Sequence, residues 1–479
     1  MLVKNLTKGI VWSAIAISAM HTLAVSAAES SEQRFRHIYK ELVETNTTAS
    51  VGDCTLAAQR MADELKKAGF SDRDLNVFFD PKYPKNGGLV ATLAGRDSTI
   101  KPILLLAHLD VVEAKREDWV RDPFTLIEEN GNFYARGASD DKAEAAIWVD
   151  TLIRLKEDHN RPRRTVKMAL TCGEEGSNVF NGAEWLAKNH RDWIDAAFAI
   201  NEGASGESDA NGKPVSMTVQ AGEKTFQNYQ LEVTNPGGHS SRPRADNAIY
   251  SLAAALKKIE AYSFPVMLSD GSVAYLNGMA AIQEKQGHSE LAAAMRAVAK
   301  DPNNSQAVSV VSKADISWAA MLRTTCVATM LDGGHATNAL PQRARANINC
   351  RIFPGVSTQI VRDTLAKVVD DPKVSVTAIE PMGVMGQAPP LTKSIMQPIE
   401  QLTQEFWPNV PVLPVLQSGG TDGRFLNNAG IPTYGIEGVF VGPDLGNIHG
   451  LNEYVGVASL LKGREFMYRL VKIYADQKE

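Results

Sequence analysis

The sequence predicts an α/β fold in which a mostly parallel sheet carries helices on both faces and is split by an inserted α+β domain. Three observations support this fold class. Short apolar strands alternate with segments of helical periodicity in the first and in the last part of the chain. The middle part instead combines half-buried strands, hairpins and helices. We therefore expect one domain formed by residues 29–221 and 386–479, with a second domain inserted at 222–385.

Length and composition are those of an ordinary globular protein. The chain has 479 residues, of which 44% are hydrophobic and 22% are charged, so two domains with full cores are possible. The net charge is −5 and no long basic run is present. This balance argues against a nucleic-acid partner or an anionic membrane surface.

The N-terminus has the pattern of a secretory signal. Lys4 and Lys8 precede a largely apolar stretch at 10–24, and the small residues at 25–28 offer a cleavage point. We expect a signal peptide at 1–28, export to the periplasm or the exterior, and no stable membrane span after processing. An uncleaved membrane anchor is the alternative, but the apolar stretch is short for a bilayer.

Cysteines of an exported protein can oxidise to disulfides. Cys326 and Cys350 flank a predicted hairpin and could face each other. Cys172 lies in an apolar strand, and we expect it to be an inert core residue. None of these residues, nor Cys54, has the C-x-x-C spacing of a zinc or redox site.

The first part of the chain alternates strands and helices. Helical periodicity is present at 30–44 and 53–68, and Lys66, Lys67 and Gly69 form a helix-end signal. The next elements are predicted as strands at 89–93, 103–112, 165–171 and 196–200 and as helices at 143–155 and 182–189. Ligands of such a domain bind beyond the carboxyl ends of its strands.

The middle and last parts follow different patterns. The middle part has predicted strands at 226–233, 324–331, 344–353 and 374–379 and helices at 246–259 and 359–369. Between them, residues 265–320 are less regular, and one helix is predicted there at 289–299. The last part has predicted helices at 393–406 and 457–474 and strands at 412–416 and 432–436.

The strand predicted at 103–112 carries the first chemical signal. Its apolar run ends in His108, Asp110 follows, and side-chain alternation places the two on one face. Burying both groups is costly unless each has a partner. An aspartate there can orient a metal-binding histidine, although a buried pair that only satisfies itself is the alternative.

Further acidic and histidine residues follow neighbouring strands and helices. They complete the set His108, Asp110, Asp140, Glu174, Glu175, Glu202 and His449. Each alone is weak evidence, because exposed loop carboxylates are common. Together they suit two divalent ions that share one carboxylate and a water. Nitrogen and oxygen ligands without thiolates favour zinc, with cobalt or manganese possible.

These motifs resemble the M20 metallopeptidase family, which includes glutamate carboxypeptidase, aminoacylase and acetylornithine deacetylase. The resemblance covers nearly the whole mature chain. It rests on His108-Leu109-Asp110, Gly137 to Lys142, Gly173-Glu174-Glu175-Gly176, Asn201-Glu202-Gly203, Gly237 to Ser240, Asn338 to Pro341, Ser418 to Arg424 and His449. Ala143 stands where the family often has glycine, a change that a helix start tolerates.

The resemblance implies a role for each residue. The metal ligands would be His108 and Glu202 for one ion, Glu175 and His449 for the other, and Asp140 for both. Asp110 would orient His108, and Glu174 would be the general acid/base. In a homodimer formed through the inserted domain, His239 would reach the partner's active site as an oxyanion donor. The substrate-binding residues would be Asn338, Arg351, Gly420 and Arg424.

The expected activity is hydrolysis of an amide bond next to a free carboxylate, by a di-zinc carboxypeptidase or dipeptidase. In the family, glutamate at the Glu202 position accompanies carboxypeptidases and deacylases more than aminopeptidases. An N-acyl-amino-acid deacylase with the same chemistry is therefore an alternative. A non-catalytic exported metal-binding protein is a third possibility, but it predicts loss of Glu174 or of a ligand, and all are present.

Overall fold

The computed structural model describes residues 31–158, 161–176 and 180–478. The signal peptide predicted at 1–28 lies outside these residues. Among the helices of the described ranges, none combines the length and the apolar character needed to cross a bilayer.

The part of the chain before the inserted domain contains five α-helices and nine strands within the described residues. They are α1 at 31–43, α2 (Cys54–Lys67), β1 (Leu75–Phe78), β2 (Gly88–Leu93), β3 (Ile103–His108), β4 (Ile127–Glu129), β5 (Asn132–Tyr134), α3 (Lys142–Glu157), β6 (Val166–Thr171), α4 (Gly182–Asn189), α5 (Arg191–Ile194), β7 (Phe198–Asn201), β8 (Gly206–Ser208) and β9 (Pro214–Glu223).

The remaining elements belong to the inserted part and to the last part of the chain. The inserted part has β10 (Thr225–Thr234), β11 (Gly238–His239), α6 (Ala248–Ala261), α7 (Asp270–Lys285), α8 (Ser289–Lys300), α9 (Ser305–Ala314), α10 (Ile316–Met321), β12 (Thr325–Gly333), β13 (Ala339–Leu340), β14 (Arg343–Ile352), α11 (Thr358–Val369) and β15 (Val374–Ala378). The last part has α12 (Lys393–Phe406), β16 (Val412–Gln417), α13 (Gly423–Asn428), β17 (Thr433–Gly435), β18 (Phe440–Val441), β19 (Tyr454–Gly456) and α14 (Val457–Asp476).

The larger sheet, called the first sheet below, joins strands from before and after the insertion. Its order is β1-β2-β6-β3-β7-β17-β9-β8-β18, with β16 beside β9. The central pairs β6–β3, β3–β7 and β7–β17 are parallel, whereas β1 and β2 are added antiparallel. Leu105 packs in the core formed with α2, α3 and α14, and Leu106 packs in the core formed with α4 and α13. The predicted α/β class is therefore confirmed.

The second sheet is antiparallel and has the order β12-β14-β10-β15. One of its faces is covered by α6 and α11, whose apolar side chains join Tyr229, Leu231 and Ile348 in a separate core. β12 is an edge strand, and seven of its nine residues are exposed. Only Lys224 separates β9 of the first sheet from β10 of the second. The domain boundaries at 221/222 and 385/386 stay a prediction.

The segment at 265–320 is more regular than the sequence suggested. It forms α7 to α10, whereas only the helix now seen as α8 was predicted. The reason lies in tertiary packing. A Cβ at Gly278, inside α7, would lie 2.3 Å from a methyl carbon of Leu413 in β16. The glycine that weakens the local helix signal is thus what lets α7 approach the first sheet.

Both disulfides of the described residues join different secondary-structure elements or their ends. Cys326 in β12 pairs with Cys350 at the opposite register position in β14. Cys54, the first residue of α2, pairs with Cys172, directly after β6. Cys172 does lie in the core, as expected, but the expectation that it is inert was wrong, because it pairs with Cys54. Its partner is 118 residues away in sequence, and no local spacing links the two.

Candidate metal centre

Asp140 stands between two histidines that come from distant parts of the chain. Its Oδ1 is 3.0 Å from Nε2 of His108, and its Oδ2 is 3.0 Å from Nε2 of His449. Asp140 sits in the loop between β5 and α3, His108 is the last residue of β3, and His449 precedes β19. Each oxygen of the Asp140 carboxylate therefore faces a different imidazole.

Two further carboxylates complete two groups that share Asp140. His108 Nε2 lies 3.8 Å from Glu202 Oε1, and His449 Nε2 lies 2.7 Å from Glu175 Oε1. The ligand atoms of each group lie within 4.8 Å of one another. The structure thus brings together all five residues for which metal binding was predicted. Glu202 follows β7 and Glu175 follows β6, so both residues lie at the edge of the first sheet where the parallel strands end.

The charges of this cluster favour bound cations. Burial alone would lower the pKa of His108, but Asp140 and Glu202 outweigh it and raise that pKa well above the usual value. Hydrogen bonds to Asp140 and Glu175 raise the pKa of His449 to about 10. Burial also raises the pKa of Glu202. Divalent ions can replace the protons that both imidazoles would otherwise hold, and the nitrogen and oxygen donors suit such ions. The residues therefore fit two metal ions.

Asp110 supports the centre differently from the prediction. β3 ends at His108, so Asp110 lies in the following loop. His108 Nδ1 is 3.0 Å from the backbone carbonyl oxygen of Asp110, whereas its distance to Oδ1 is 3.8 Å. The carboxylate instead accepts the backbone N–H groups of the 173–175 loop, at 2.7, 3.3 and 2.9 Å. Asp110 thus orients His108 through its main chain and the Glu174–Glu175 loop through its side chain.

Glu453 holds the loop that carries Asp140, and the sequence analysis missed it. Its buried carboxylate accepts the N–H groups of Gly137, Ser139 and Asp140 at 2.8–3.1 Å. It also pairs with Arg136 at 2.6 Å. An acidic residue four positions after His449 was the available signal, but nothing local links it to a loop more than 300 residues earlier.

Glu174 lies at the centre and faces an arginine. Its Oε1 is 3.7 Å from Nη1 of Arg424. Burial raises the pKa of Glu174 well above its usual value, although His108 and Arg424 oppose the rise. Gly420 lies against Arg424, since a Cβ there would be 2.9 Å from Nη1. Arg351 belongs to the same region, because its Nη1 donates to the Ser418 carbonyl oxygen at 3.4 Å.

His239 and Asn338 lie elsewhere, on a short arm of the inserted part. β11 pairs with β13, and the Ser240 N–H donates to the Asn338 carbonyl oxygen at 3.0 Å. Both residues are exposed, and the Ser241 hydroxyl lies 2.8 Å from His239 Nδ1. Within the described ranges, no hydrogen bond or ion pair joins this arm to the metal-ligand groups of the same chain.

A split α/β domain in which two acid–imidazole groups share one carboxylate is the architecture of a metal-dependent hydrolase. The family model described as Peptidase family M20/M25/M40 matches residues 104–473. The chain belongs to this family and is a hydrolase of it, which confirms the resemblance found in the motifs.

Its relatives include peptidases and acylases. The human N-fatty-acyl-amino acid synthase/hydrolase PM20D1 is 29% identical over 388 residues, which cover 80% of this chain and 76% of that protein. The probable carboxypeptidase S-like 2 of Dictyostelium discoideum is 29% identical over 406 residues, which cover 81% and 74%. The crystal structure of the M20 family metallo-carboxypeptidase Sso-CP2 from Sulfolobus solfataricus shares the fold, with a TM-score of 0.68, 19% identity and coverage of 92% and 99%.

Proposed function

We propose that this chain uses two divalent metal ions to hydrolyse an amide bond next to a free carboxylate, as a carboxypeptidase or dipeptidase. The observation that carries the proposal is the contact between Glu174 and Arg424, 3.7 Å apart, because the residue after Glu174, Glu175, belongs to the group that shares Asp140. A base and a guanidinium at that separation suit a substrate whose scissile bond and carboxylate are close together.

The chemistry divides between the ions and the side chains. Bound ions would polarise the scissile carbonyl and lower the pKa of the attacking water. Glu174 takes the proton of that water and returns it to the leaving amine. Burial raises the pKa of Glu174, which makes its ionised carboxylate a stronger base for the first of these steps. Asp110 keeps Glu174 in place through the backbone N–H groups of the 173–175 loop.

The substrate carboxylate is bound by arginines. Arg424 is restrained by its own contact with the Thr421 carbonyl oxygen, at 3.0 Å. Arg351 lies over the ring of Phe226 and reaches the Ser418 carbonyl oxygen, so both guanidinium groups border the 418–424 loop. A planar guanidinium binds a carboxylate through two parallel hydrogen bonds, which favours substrates with a free C-terminus.

The metal in this proposal is zinc. The donors are imidazole nitrogens and carboxylate oxygens, and zinc binds both well at open catalytic sites. Elemental analysis of the purified protein tests this identity. A stoichiometry near two zinc ions per chain is expected, and a preparation that is active with calcium or magnesium alone would contradict it.

The active form in this proposal is a homodimer in which His239 of each protomer completes the partner's site. Two features of the inserted part support this arrangement. The edge strand β12 exposes Val327, Met330 and Leu331 at 58%, 72% and 71%, and Tyr250 on α6 is 70% exposed. Such an apolar edge is a pairing surface. Within the described residues, the arm with His239 and Asn338 also makes no hydrogen bond or ion pair with the metal ligands of its own chain.

The proposed location is outside the cytoplasm, after removal of residues 1–28. Pairing of all four cysteines in disulfides agrees with an oxidising compartment. Mass spectrometry of the exported protein tests the proposal, because a mature N-terminus near residue 29 is expected. An intact N-terminus in the exported fraction would contradict cleavage.

A second candidate function is deacylation of N-acyl amino acids. PM20D1 is named for N-fatty-acyl-amino acids, and apolar side chains are exposed around His449, with Ile448 at 37% and Leu451 at 53%. The same base and ions would serve this reaction. A panel of dipeptides and N-acyl amino acids, assayed with the zinc-loaded protein, separates the candidates. Faster hydrolysis of the dipeptides is expected, whereas preference for long acyl chains would favour the deacylase.

A further inference from the structure

One buried carboxylate lies where both connections between the two sheets run side by side. β9 ends at Glu223, and β10 begins at Thr225. The chain returns along the same path, because the Gly386 N–H donates to Thr225 Oγ1 at 2.8 Å. A Cβ at Gly386 would lie 2.4 Å from the Glu223 carbonyl oxygen, so the two connections are in close contact.

The side chain of Glu223 points to the loop at 418–424. It is 1% exposed, and its Oε2 accepts the Thr421 N–H at 2.6 Å and the Gln220 Nε2–H at 3.3 Å. Its Oε1 has no hydrogen-bond partner among the described residues. An ionised carboxylate is costly in such surroundings. Because burying this carboxylate destabilises the fold, stabilisation of the fold does not explain why a glutamate stands at position 223.

Thr421 connects Glu223 to the residues of the active site. Its carbonyl oxygen accepts from Arg424 Nη1 at 3.0 Å, and its Oγ1 accepts from Asn201 Nδ2 at 3.2 Å. Arg424 Nη1 in turn faces Glu174. A displacement of Thr421 would therefore move the guanidinium that faces the base.

We propose that Glu223 is a positioning residue for the substrate carboxylate, because it fixes the Thr421 amide and, through Thr421, the Arg424 guanidinium. The inference rests on the proposed function, since Arg424 has this task only if the substrate carries a carboxylate. Lys224, the next residue, serves a different purpose. Its ammonium group donates to the carbonyl oxygens of Ala320 and Arg323, at the end of α10.

The protonation of Glu223 sets the pH range in which the loop is held. Burial raises the pKa of Glu223 to about 7, while Arg424 and the Thr421 amide oppose the rise and Asp422 adds to it. Gln220, the contact from β9, does not titrate. Above pH 7 the carboxylate is ionised and attracts both the Thr421 N–H and Arg424. Below pH 7 it takes up a proton, and the restraint on the loop weakens.

The test measures binding of two probes that differ only in the carboxylate. N-acetyl-L-phenylalanine and N-acetyl-L-phenylalaninamide are titrated by calorimetry into the zinc-loaded full chain with Glu174→Gln, which prevents turnover. The acid is expected to bind about tenfold more weakly at pH 5.5 than at pH 8.5, the size of one charge-assisted contact. The affinity for the amide should stay constant, and it controls for metal loss at low pH.

Two variants then separate positioning from general damage. Adding Glu223→Gln should weaken binding of the acid about tenfold at pH 8.5 and abolish its pH dependence. The matched control adds Lys224→Gln to the Glu174→Gln protein, at the same connection between the sheets. It should lower the melting temperature but keep the affinity for the acid and its pH dependence. Metal content and circular dichroism are recorded for each protein.

The possible outcomes are distinguishable. If the Glu174→Gln protein, which retains Glu223, bound the acid and the amide equally well, the proposed carboxylate binding itself would be overturned. A preference for the acid that does not vary with pH, or that survives Glu223→Gln, would overturn the role of Glu223 alone. The pH series needs no change at Glu223, so the inference can be refuted even if that variant does not fold.

Discussion

The metal centre and the His239 arm differ in how the chain holds them. Three ligands of the centre, His108, Glu175 and Glu202, lie at the carboxyl ends of buried parallel strands, and Glu453 holds the loop of a fourth, Asp140. The arm is a pair of two-residue strands with exposed side chains. The positions of the metal ligands are therefore fixed within one protomer. The exposed side chains of the arm have few restraints of their own, and in our proposal the partner subunit supplies the remaining contacts.

The largest expected effect concerns the shared ligand. Asp140→Ala should release both ions, because each group loses a carboxylate, and activity should fall to background. His449→Ala should keep the ion of the His108 group. Elemental analysis of both variants, with Asp363→Ala on the exposed face of α11 as the control, checks this difference. Retention of two ions by Asp140→Ala would show that the groups do not share their ligand.

The next effect separates chemistry from metal binding. Glu174→Gln should retain both ions and lower kcat roughly 10³-fold, the range for loss of a general acid/base. Turnover of the preferred substrate and metal content are measured on the same preparation. Hydrolysis at the parent rate would remove Glu174 from the mechanism.

A mixing experiment tests the arm directly. His239→Ala should lower kcat about 10²-fold through loss of an oxyanion donor. If His239 acts in trans, equal amounts of the His239→Ala and Glu174→Gln proteins should recover about a quarter of the parent activity after exchange of subunits, since only mixed dimers contain one intact site. An inactive mixture, with exchange verified by mass spectrometry, would place His239 outside the partner's site.

The smallest expected effect is a change in the pH dependence of the free energy of unfolding, caused by Glu223 at the connection between the two sheets. The fold raises the pKa of Glu223 from 4.5 to about 7, so the folded parent binds a proton more tightly than the unfolded chain. Its stability therefore decreases as pH rises from 4.5 to 7, whereas Glu223→Gln does not titrate. Relative to the parent, the variant should gain stability between pH 5 and pH 8 in urea denaturation. A constant difference would contradict the raised pKa.

The sequence was sufficient for the fold class and for the set of candidate ligands. His108, Glu175 and Glu202 follow apolar strands, so periodicity and the edge rule for parallel sheets predict that these three meet. The roles of Asp140 and His449 came from the motifs shared with the M20 family. The contacts that hold those ligands were not predictable in this way. They join segments that share no local pattern. Examples are the contact of Glu453 with the Asp140 loop, that of Glu223 with Thr421, and the Cys54–Cys172 disulfide.

Two misinterpretations had the same physical origin. The strand at 103–112 was predicted too long because residues 109–112 continue the apolar run, yet pairing ends at His108 and Asp110 turns its carboxylate to the 173–175 amides. The helix α7 was missed because Gly278 weakens the local signal, although tight packing on Leu413 requires it. In both places a tertiary contact overrides the local preference.

The split of the first sheet also determines when the centre can be assembled. At roughly 5–20 residues per second, synthesis of the chain between Glu202 and His449 takes on the order of tens of seconds. Throughout that interval the first ligand group can exist without the second histidine. The Cys54–Cys172 disulfide lies wholly within the earlier segment, so its closure does not require His449. In our proposal, loading of both ions does require His449, and two bound ions therefore indicate that the distant parts of the chain have met.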